Sequence, residues 1–298
     1  MGKIAADLGA ALDTRARFGG SARTSGRVLA SGEGWEVADV ICTAGPHDRA
    51  FEEAHTQVAV AIVVAGSFQY RTGGGTHVMT PGSFFLGNPG ECYECGHEHA
   101  PGDRCVAFRF SPAFFDGLAA DAGIARPVFG APRVPPTRDA SDLVARIATA
   151  LAVEGELSWE EAAIDAGTIA LRASRGARPR SRAPAAPSRD VLARVTDVVR
   201  DVERDPAAGR GLRAHAERAD MSAFQFLRAF RHLTGTTPHQ FLLRARLRES
   251  AASLRASDRK IAEIALESGF NDLSNFNHAF RAEFGLTPRA YRARHESR

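Results

Sequence analysis

The chain has 298 residues, 44% hydrophobic and 24% charged, which excludes a mostly disordered protein and fits two domains better than one. Its net charge of +3 points to no partner when taken whole, but it is unevenly spread: −8 over residues 1–171, +5 over 172–188 and +6 over 189–298. An acidic front and a basic back imply two jobs, the second suited to a phosphate backbone.

Residues 1–30 are rich in Ala, Gly, Arg and Ser with weak periodicity, and read as a loosely ordered lead-in with no apolar signal-peptide core. The longest apolar run, Val58–Gly66, falls far short of the ~18 residues of a membrane span. No membrane partner is expected. The expected location is the cytoplasm, where four cysteines stay reduced and metal binding or redox sensing is favoured over structural disulfides.

Residues 31–138 change character. WEVADVICT, VAVAIVVAGSFQYR, THVMT, SFFLG and RCVAFRFS are short runs of β-branched and aromatic residues. Gly45-Pro46, Gly73-Gly74-Gly75, Pro81-Gly82, Pro89-Gly90 and Pro101-Gly102 separate them, as in a compact antiparallel sandwich or barrel. Within residues 91–107 lie Cys92, Cys95, His97, His99 and Cys105. Thiolates and imidazoles so closely spaced suit zinc or another thiophilic metal, with Glu94, Glu98 and Asp103 adding attraction for a cation. Cys92 and Cys95 face opposite sides of one strand, so a shared ligand set needs a bend, which Gly96 can supply. Three readings stay open: a structural or sensory metal site, a thiol sensor for an oxidant or electrophile, and ordinary small residues at a loop edge with the ligand inside the barrel. His47 and His55, in another loop, are placed to line such a pocket.

Over residues 139–173, Leu143, Ile147 and Leu151 make one helical stripe, and Ser158 with Glu161 three residues on opens a second helix. These helices can pack on the barrel or pair with another subunit, and dimer contacts are expected of them. Residues 174–188, SRGARPRSRAPAAPS, form a stiff, arginine-bearing linker. Residues 189–298 read as all-helical: Ser188 caps a helix to about Arg204, Pro238 suits a first turn, and Gly235, Gly269 and Gly285 mark helix ends.

This last segment contains a repeat. At an offset of 50, Phe226/Phe276, Ala229/Ala279, Phe230/Phe280, Arg231/Arg281, Gly235/Gly285, Thr237/Thr287, Pro238/Pro288 and the aromatic Phe241/Tyr291 coincide. Upstream the offset is 49, pairing Leu212/Ile261 and Ala216/Ala265, so the second copy has one more residue near Gly269-Phe270-Asn271. In each copy a short helix, a turn and a second helix follow one another. The phenylalanines at i, i+4 pack inward, and the polar and cationic opposite face suits a major groove.

Residues 189–296 resemble the DNA-binding domain of the AraC/XylS transcriptional regulators, through IAEIALESGF (261–270), DLSNFNHAFRAEFGLTPRAYR (272–292) and the weaker first copy. The resemblance implies two helix-turn-helix units joined by a long helix, here about Pro238–Leu254, with recognition helices entering successive major-groove turns. By position, Phe224, Leu227 and Arg228 face bases in the first unit, and Leu273, Ser274, Asn277 and His278 in the second. Arg231 and Arg281 complete the DNA-contacting set. His278 stands where the family often has Arg, which weakens a bidentate guanine contact, and Phe224 and Leu227 favour thymine methyls or phosphate-edge packing. More loosely, MTPGSFFLGNPG followed by CYECGHEHAPGDRC looks like a cupin-type sensory domain. His97-Glu98-His99 has the HxH spacing of cupin metal sites but sits among cysteines, outside the usual glycine-framed motif.

The fold expected is therefore α+β and multidomain: a cupin-like antiparallel β-barrel with helices, then an all-α domain of two helix-turn-helix units. The expected function is a regulator, of activator type, that binds double-stranded DNA as a homodimer. It answers a small-molecule, metal or redox effector and, by resemblance, recruits RNA polymerase. The G-x-x-x-x-G-K-[ST], G-x-S-x-G and H-E-x-x-H motifs are absent, so no enzyme is expected. The alternative is a cupin-type binding protein or enzyme whose basic C-terminal domain anchors it to nucleic acid.

Overall fold

The computed structural model describes residues 2–19, 21, 24–152, 157–175 and 187–296; the expected linker lies mostly outside these. Ten strands form the front half of the described chain: β1 Thr24–Gly32, β2 Trp35–Cys42, β3 Phe51–Ala54, β4 Val58–Gly66, β5 Phe68–Thr72, β6 Gly75–Met79, β7 Phe84–Gly87, β8 Cys92–Gly96, β9 Asp103–Phe110 and β10 Arg133–Val134. They pair antiparallel in a six-stranded sheet of order β1-β2-β9-β4-β7-β10 and a four-stranded sheet of order β3-β8-β5-β6. The two sheets make the cupin-like barrel. The apolar run of β4 is buried on both faces because helices cover the outside of its sheet. At Gly66 the chain leaves one sheet for the other with φ +74°, and a Cβ there would meet the Gly102 carbonyl oxygen at 2.4 Å. Only glycine allows that corner.

The lead-in reading of residues 1–30 is wrong. Helix α1 (Gly2–Phe18) and strand β1 occupy most of it. Ile4 and Leu8 are buried in the barrel's core, with Leu12 packed beside them. This stripe of three at four-residue spacing is diluted by Ala, Gly and Arg, so the composition conceals it. Buried Arg104 fixes the helix, pairing with Asp39 and Asp7 at 2.9 Å each.

Helix α2 (Pro112–Asp121) follows the barrel strands, capped by Ser111, and then come α3 (Arg138–Ala152) and α4 (Trp159–Ser174). Ser158 caps α4 as the sequence predicts, accepting from the Glu161 amide at 3.3 Å. Leu143, Ile147 and Leu151 are buried in the barrel's core cluster. The stripe expected to serve a dimer is thus covered within the chain, because α3 lies against the barrel wall.

The back half holds α5 (Arg189–Arg204), a 3-10 turn at Pro206–Ala208, α6 (Leu212–Arg218), α7 (Ala223–Thr234), α8 (Pro238–Ala256), α9 (Ile261–Glu267), α10 (Leu273–Phe284) and α11 (Pro288–Glu296). Ser188 caps α5, and Pro238 opens α8 behind the Thr237 cap. Phe226, Phe230 and Phe241 anchor one core, while Phe276, Phe280 and Tyr291 anchor a second. Each core also takes one residue from the front half: Val78 of β6 joins the first and Ala145 of α3 the second.

Polar contacts reinforce this docking. Arg133 donates to the Leu233 carbonyl at 2.7 Å and to that of His232 at 3.3 Å, while Ser141 donates to Glu283, which also pairs with Arg244. Arg200 of α5 donates to the His99 carbonyl at 3.4 Å.

His77 of β6 lies in this seam, and neither ring nitrogen has a hydrogen-bond partner among the described residues. Burial, with the nearby charges of Arg133 and His232, pushes its pKa down to about 3. A depressed histidine is neutral when folded, so its contribution is intact above pH ~6.5 and is lost as pH falls below that toward 3. Thermal unfolding is therefore expected to lose about 1 kcal/mol per pH unit between roughly pH 6 and 4 from this group. His77→Gln should flatten that limb of the melting-temperature profile. An unchanged limb in the variant would assign the acid sensitivity to other groups.

Candidate nucleic-acid interface and sensor pocket

Two copies of one scaffold position the helices that matter. In the first, α6 and α7 are joined by residues 219–222, with Asp220 at φ +50°. In the second, α9 and α10 are joined by residues 268–272, with Gly269 at φ +86° in the equivalent place. The additional residue thus falls in the turn, where the change of offset located it. Asp220 pairs with Arg194 of α5 at 3.0 Å, and the same guanidinium takes the Asp220 carbonyl at 2.9 Å, which secures a left-handed aspartate. A capping box of Ser222 and Gln225 starts α7, and Asp272 caps α10 through the Asn275 amide at 2.7 Å. Both helices end at left-handed glycines, Gly235 and Gly285.

The inward stripes are as expected: Phe226, Phe230, Phe276 and Phe280 are all buried. Phe230 packs edge-on to Phe241 at 5.6 Å, and Phe280 edge-on to Tyr291 at 5.3 Å, repeating the aromatic pair that the offset matched. On the outward face of α7, Phe224, Arg228 and Arg231 are exposed and Leu227 is half-buried. On that of α10, Leu273, Ser274, Asn277, His278 and Arg281 are exposed. The Arg228 guanidinium lies 5.9 Å from the Phe224 ring centroid, a cation–π distance that gives the exposed ring a partner. These side chains stay exposed although β6 packs on α7 and α3 packs on α10. A surface groove of about 1040 Å³ runs along α7, lined by Phe224, Gln225, Arg228 and Arg231 together with Arg194. The sequence reading omitted Arg194, whose signal is its place on the helix packed beside α7.

In the barrel, the five grouped Cys and His side chains do not converge. Alternation along β8 buries Cys95 and exposes Cys92. His99 is half-buried and meets α5 through its backbone carbonyl. His97 is buried and bonds through Nε2 to Asp103 at 2.6 Å, while the Cys105 thiol donates to the other Asp103 oxygen at 3.0 Å. The remaining neighbour is Cys42, some fifty residues upstream, which β2 pairs directly opposite Asp103. Burial pulls His97 down, but its hydrogen bonds to Asp103 and Cys42 outweigh it and hold the imidazole at about 9. Burial pushes the Cys95 and Cys105 thiols up.

A cavity of about 180 Å³ adjoins this cluster, lined among others by His55, Phe68, Phe85 and Tyr93. His55 also meets the buried Tyr70 hydroxyl at 3.2 Å, whereas His47 does not line this cavity. A second cavity of about 520 Å³ lies where Leu8, Leu12 and Val64 of the sensor face Arg200 and Glu203 of α5. Among the described residues no helix is long and apolar enough to cross a membrane.

The chain thus joins an N-terminal cupin-like domain to two helix-turn-helix units. Residues 215–294 match a helix-turn-helix domain family and residues 39–167 match the AraC-like ligand binding domain. The chain belongs to the AraC/XylS family of transcriptional regulators.

Among curated proteins it is similar to the HTH-type transcriptional activator RhaS of Salmonella arizonae, 39% identical over 79 residues. That match covers 26% of this chain and 28% of the relative. Among solved structures it is similar to the DNA-binding domain of AdpA, a global transcriptional factor in complex with a target DNA, at 32% identity and TM-score 0.34, covering 35% of this chain and 93% of that one. ToxT from Vibrio cholerae, bound to an unsaturated fatty acid, matches at 11% identity and TM-score 0.36, covering 88% of this chain and 96% of the other.

Proposed function

We propose that this chain is a sequence-specific transcriptional activator that acts without catalysis, in the cytoplasm, as a homodimer reading two half-sites. What carries the reading is the pair of exposed faces on α7 and α10, held by duplicated scaffolds and separated by the single helix α8. Phe224, Leu227 and Arg228 in the first unit, and Leu273, Ser274, Asn277 and His278 in the second, are the base-facing set. Arg231 and Arg281 serve the phosphates. RhaS, to which the basic domain is similar, is a transcriptional activator by name, and recruitment of RNA polymerase is part of the reading proposed.

Because the sensor leaves both faces open, a signal acts by changing how the two units are held rather than by uncovering them. It must therefore bind the two arrangements with different affinity. The domain division proposed is residues 31–138 for sensing, now extended forward to include α1, 139–173 for packing, and 189–298 for DNA. Genome-wide mapping with a paired deletion strain tests the function. Discrete promoter-proximal sites, with transcription falling in the deletion, are expected. Diffuse occupancy without promoter preference would favour the alternative of a binding protein merely anchored to nucleic acid.

A further inference from the structure

We propose that the barrel holds a thiophilic divalent metal ion of the zinc class, ligated by Cys42, His97 and Asp103. Ligand atoms of the three side chains all lie within 4.8 Å of one another, and all three residues are buried. Ligand atoms on one tetrahedral zinc stand about 3.3–3.8 Å apart, so the ion would take the place of the proton between His97 and Asp103, which open from 2.6 Å, and Cys42 would complete a sulfur, nitrogen and oxygen set of the kind zinc accepts. An oxygen-seeking ion such as magnesium or calcium would not choose the thiolate or imidazole.

The surroundings support the assignment. Cys105 donates to the second Asp103 oxygen at 3.0 Å, so it can orient the ligating carboxylate, as outer partners of metal ligands do. Cys105 and Cys95 belong to an otherwise apolar cluster with Phe68, Tyr70 and Met79. A thiol, an imidazole and a carboxylate placed at the edge of such a core carry a desolvation cost that apolar side chains would avoid. The His97–Asp103 hydrogen bond at 2.6 Å offsets part of that cost, and an ion held by all three groups would offset the rest. The ligands come from the end of β2, the loop after β8 and the start of β9, and strand pairing brings Cys42, remote in sequence, to the other two. The site differs from the grouping by sequence proximity: of that set only His97 is a ligand, Cys105 is an outer partner, Cys92, Cys95 and His99 fall outside, and Cys42 and Asp103 enter as ligands.

The test uses the full chain, stripped with a chelator and titrated with Co²⁺ under reducing conditions. One equivalent is expected to bind with a thiolate-to-cobalt charge-transfer band in the near ultraviolet, and Zn²⁺ should displace it. Cys42→Ser should abolish that band, and Asp103→Asn should weaken binding by more than ~10-fold, since even outer partners of ligands are worth that much. Cys92→Ser should bind like the parent. Circular dichroism of each metal-free variant checks its fold, and if Cys42→Ser fails to fold, the Asp103→Asn affinity decides. Absence of stoichiometric uptake, or a site that survives Cys42→Ser and is lost in Cys92→Ser, overturns the proposal. None of these readouts uses DNA, so the result stands apart from the regulatory function.

Discussion

The double variant Arg228→Ala/Asn277→Ala is expected to lose about 2–6 kcal/mol of specific DNA binding, a fall of roughly 30-fold to 10⁴-fold at a mapped site. Arginine pairs with both acceptors of guanine and asparagine with both groups of adenine, each worth about 1–3 kcal/mol of discrimination. The two side chains stand on separate helices with separate cores, so their losses should add. Anisotropy titrations on the mapped site and on a scrambled duplex, at two salt concentrations, distinguish the contacts. Loss confined to the mapped site identifies base readers. Equal loss on both duplexes, with a shallower salt slope, would reassign these side chains to phosphates and sink the base-reading role.

Phe280→Ala should destabilise the second helix-turn-helix unit by about 3–5 kcal/mol. The ring is fully buried and packs against Phe276 at 5.5 Å, Phe284 at 4.5 Å and Tyr291 at 5.3 Å, so nothing small can fill the space it leaves. Against the 5–15 kcal/mol typical of a whole domain, that loss is enough to unfold a unit this small. The first unit keeps its own core around Phe230 and should survive. Urea unfolding of the variant is expected to become biphasic, and its DNase footprint should shrink to the half covered by α7. A loss below about 1 kcal/mol, with an unchanged footprint, would contradict the packing described here.

The helix-turn-helix half was legible because local rules govern it. A phenylalanine pair at i, i+4, a cap before it and a glycine after it suffice to specify each helix, and their recurrence shows the duplication. The turn's additional residue was visible for the same reason. The sensor was harder. Helix α1 rests on only Ile4, Leu8 and Leu12 amid small residues, too faint a stripe to see without the barrel surface it covers. Cys42 and Asp103 meet only through strand pairing, which no local window contains, so a search by proximity chose Cys92 instead. The stripe on α3 was visible, but its partner was not: an apolar face does not state whether the surface that covers it belongs to the same chain. Val78 and Arg133, which join the domains, read locally as ordinary strand residues.

The way the front half grips the back half has a consequence for the DNA itself. It holds the first helix-turn-helix unit through β6 and β10 and the second through α3, which also packs on α8, the helix that joins the units. The barrel therefore works like the body of a caliper whose two jaws are the recognition helices. A small strain between β6 and α3 changes the gap and tilt of the jaws, and so the phase of duplex they can span without bending it. Sites whose spacing or stiffness matches one setting would be favoured at that setting, and a different signal state would favour others. On the function proposed above, an effector would select among DNA shapes rather than turn binding on or off, and footprints on sites of different spacing, with and without it, would test this.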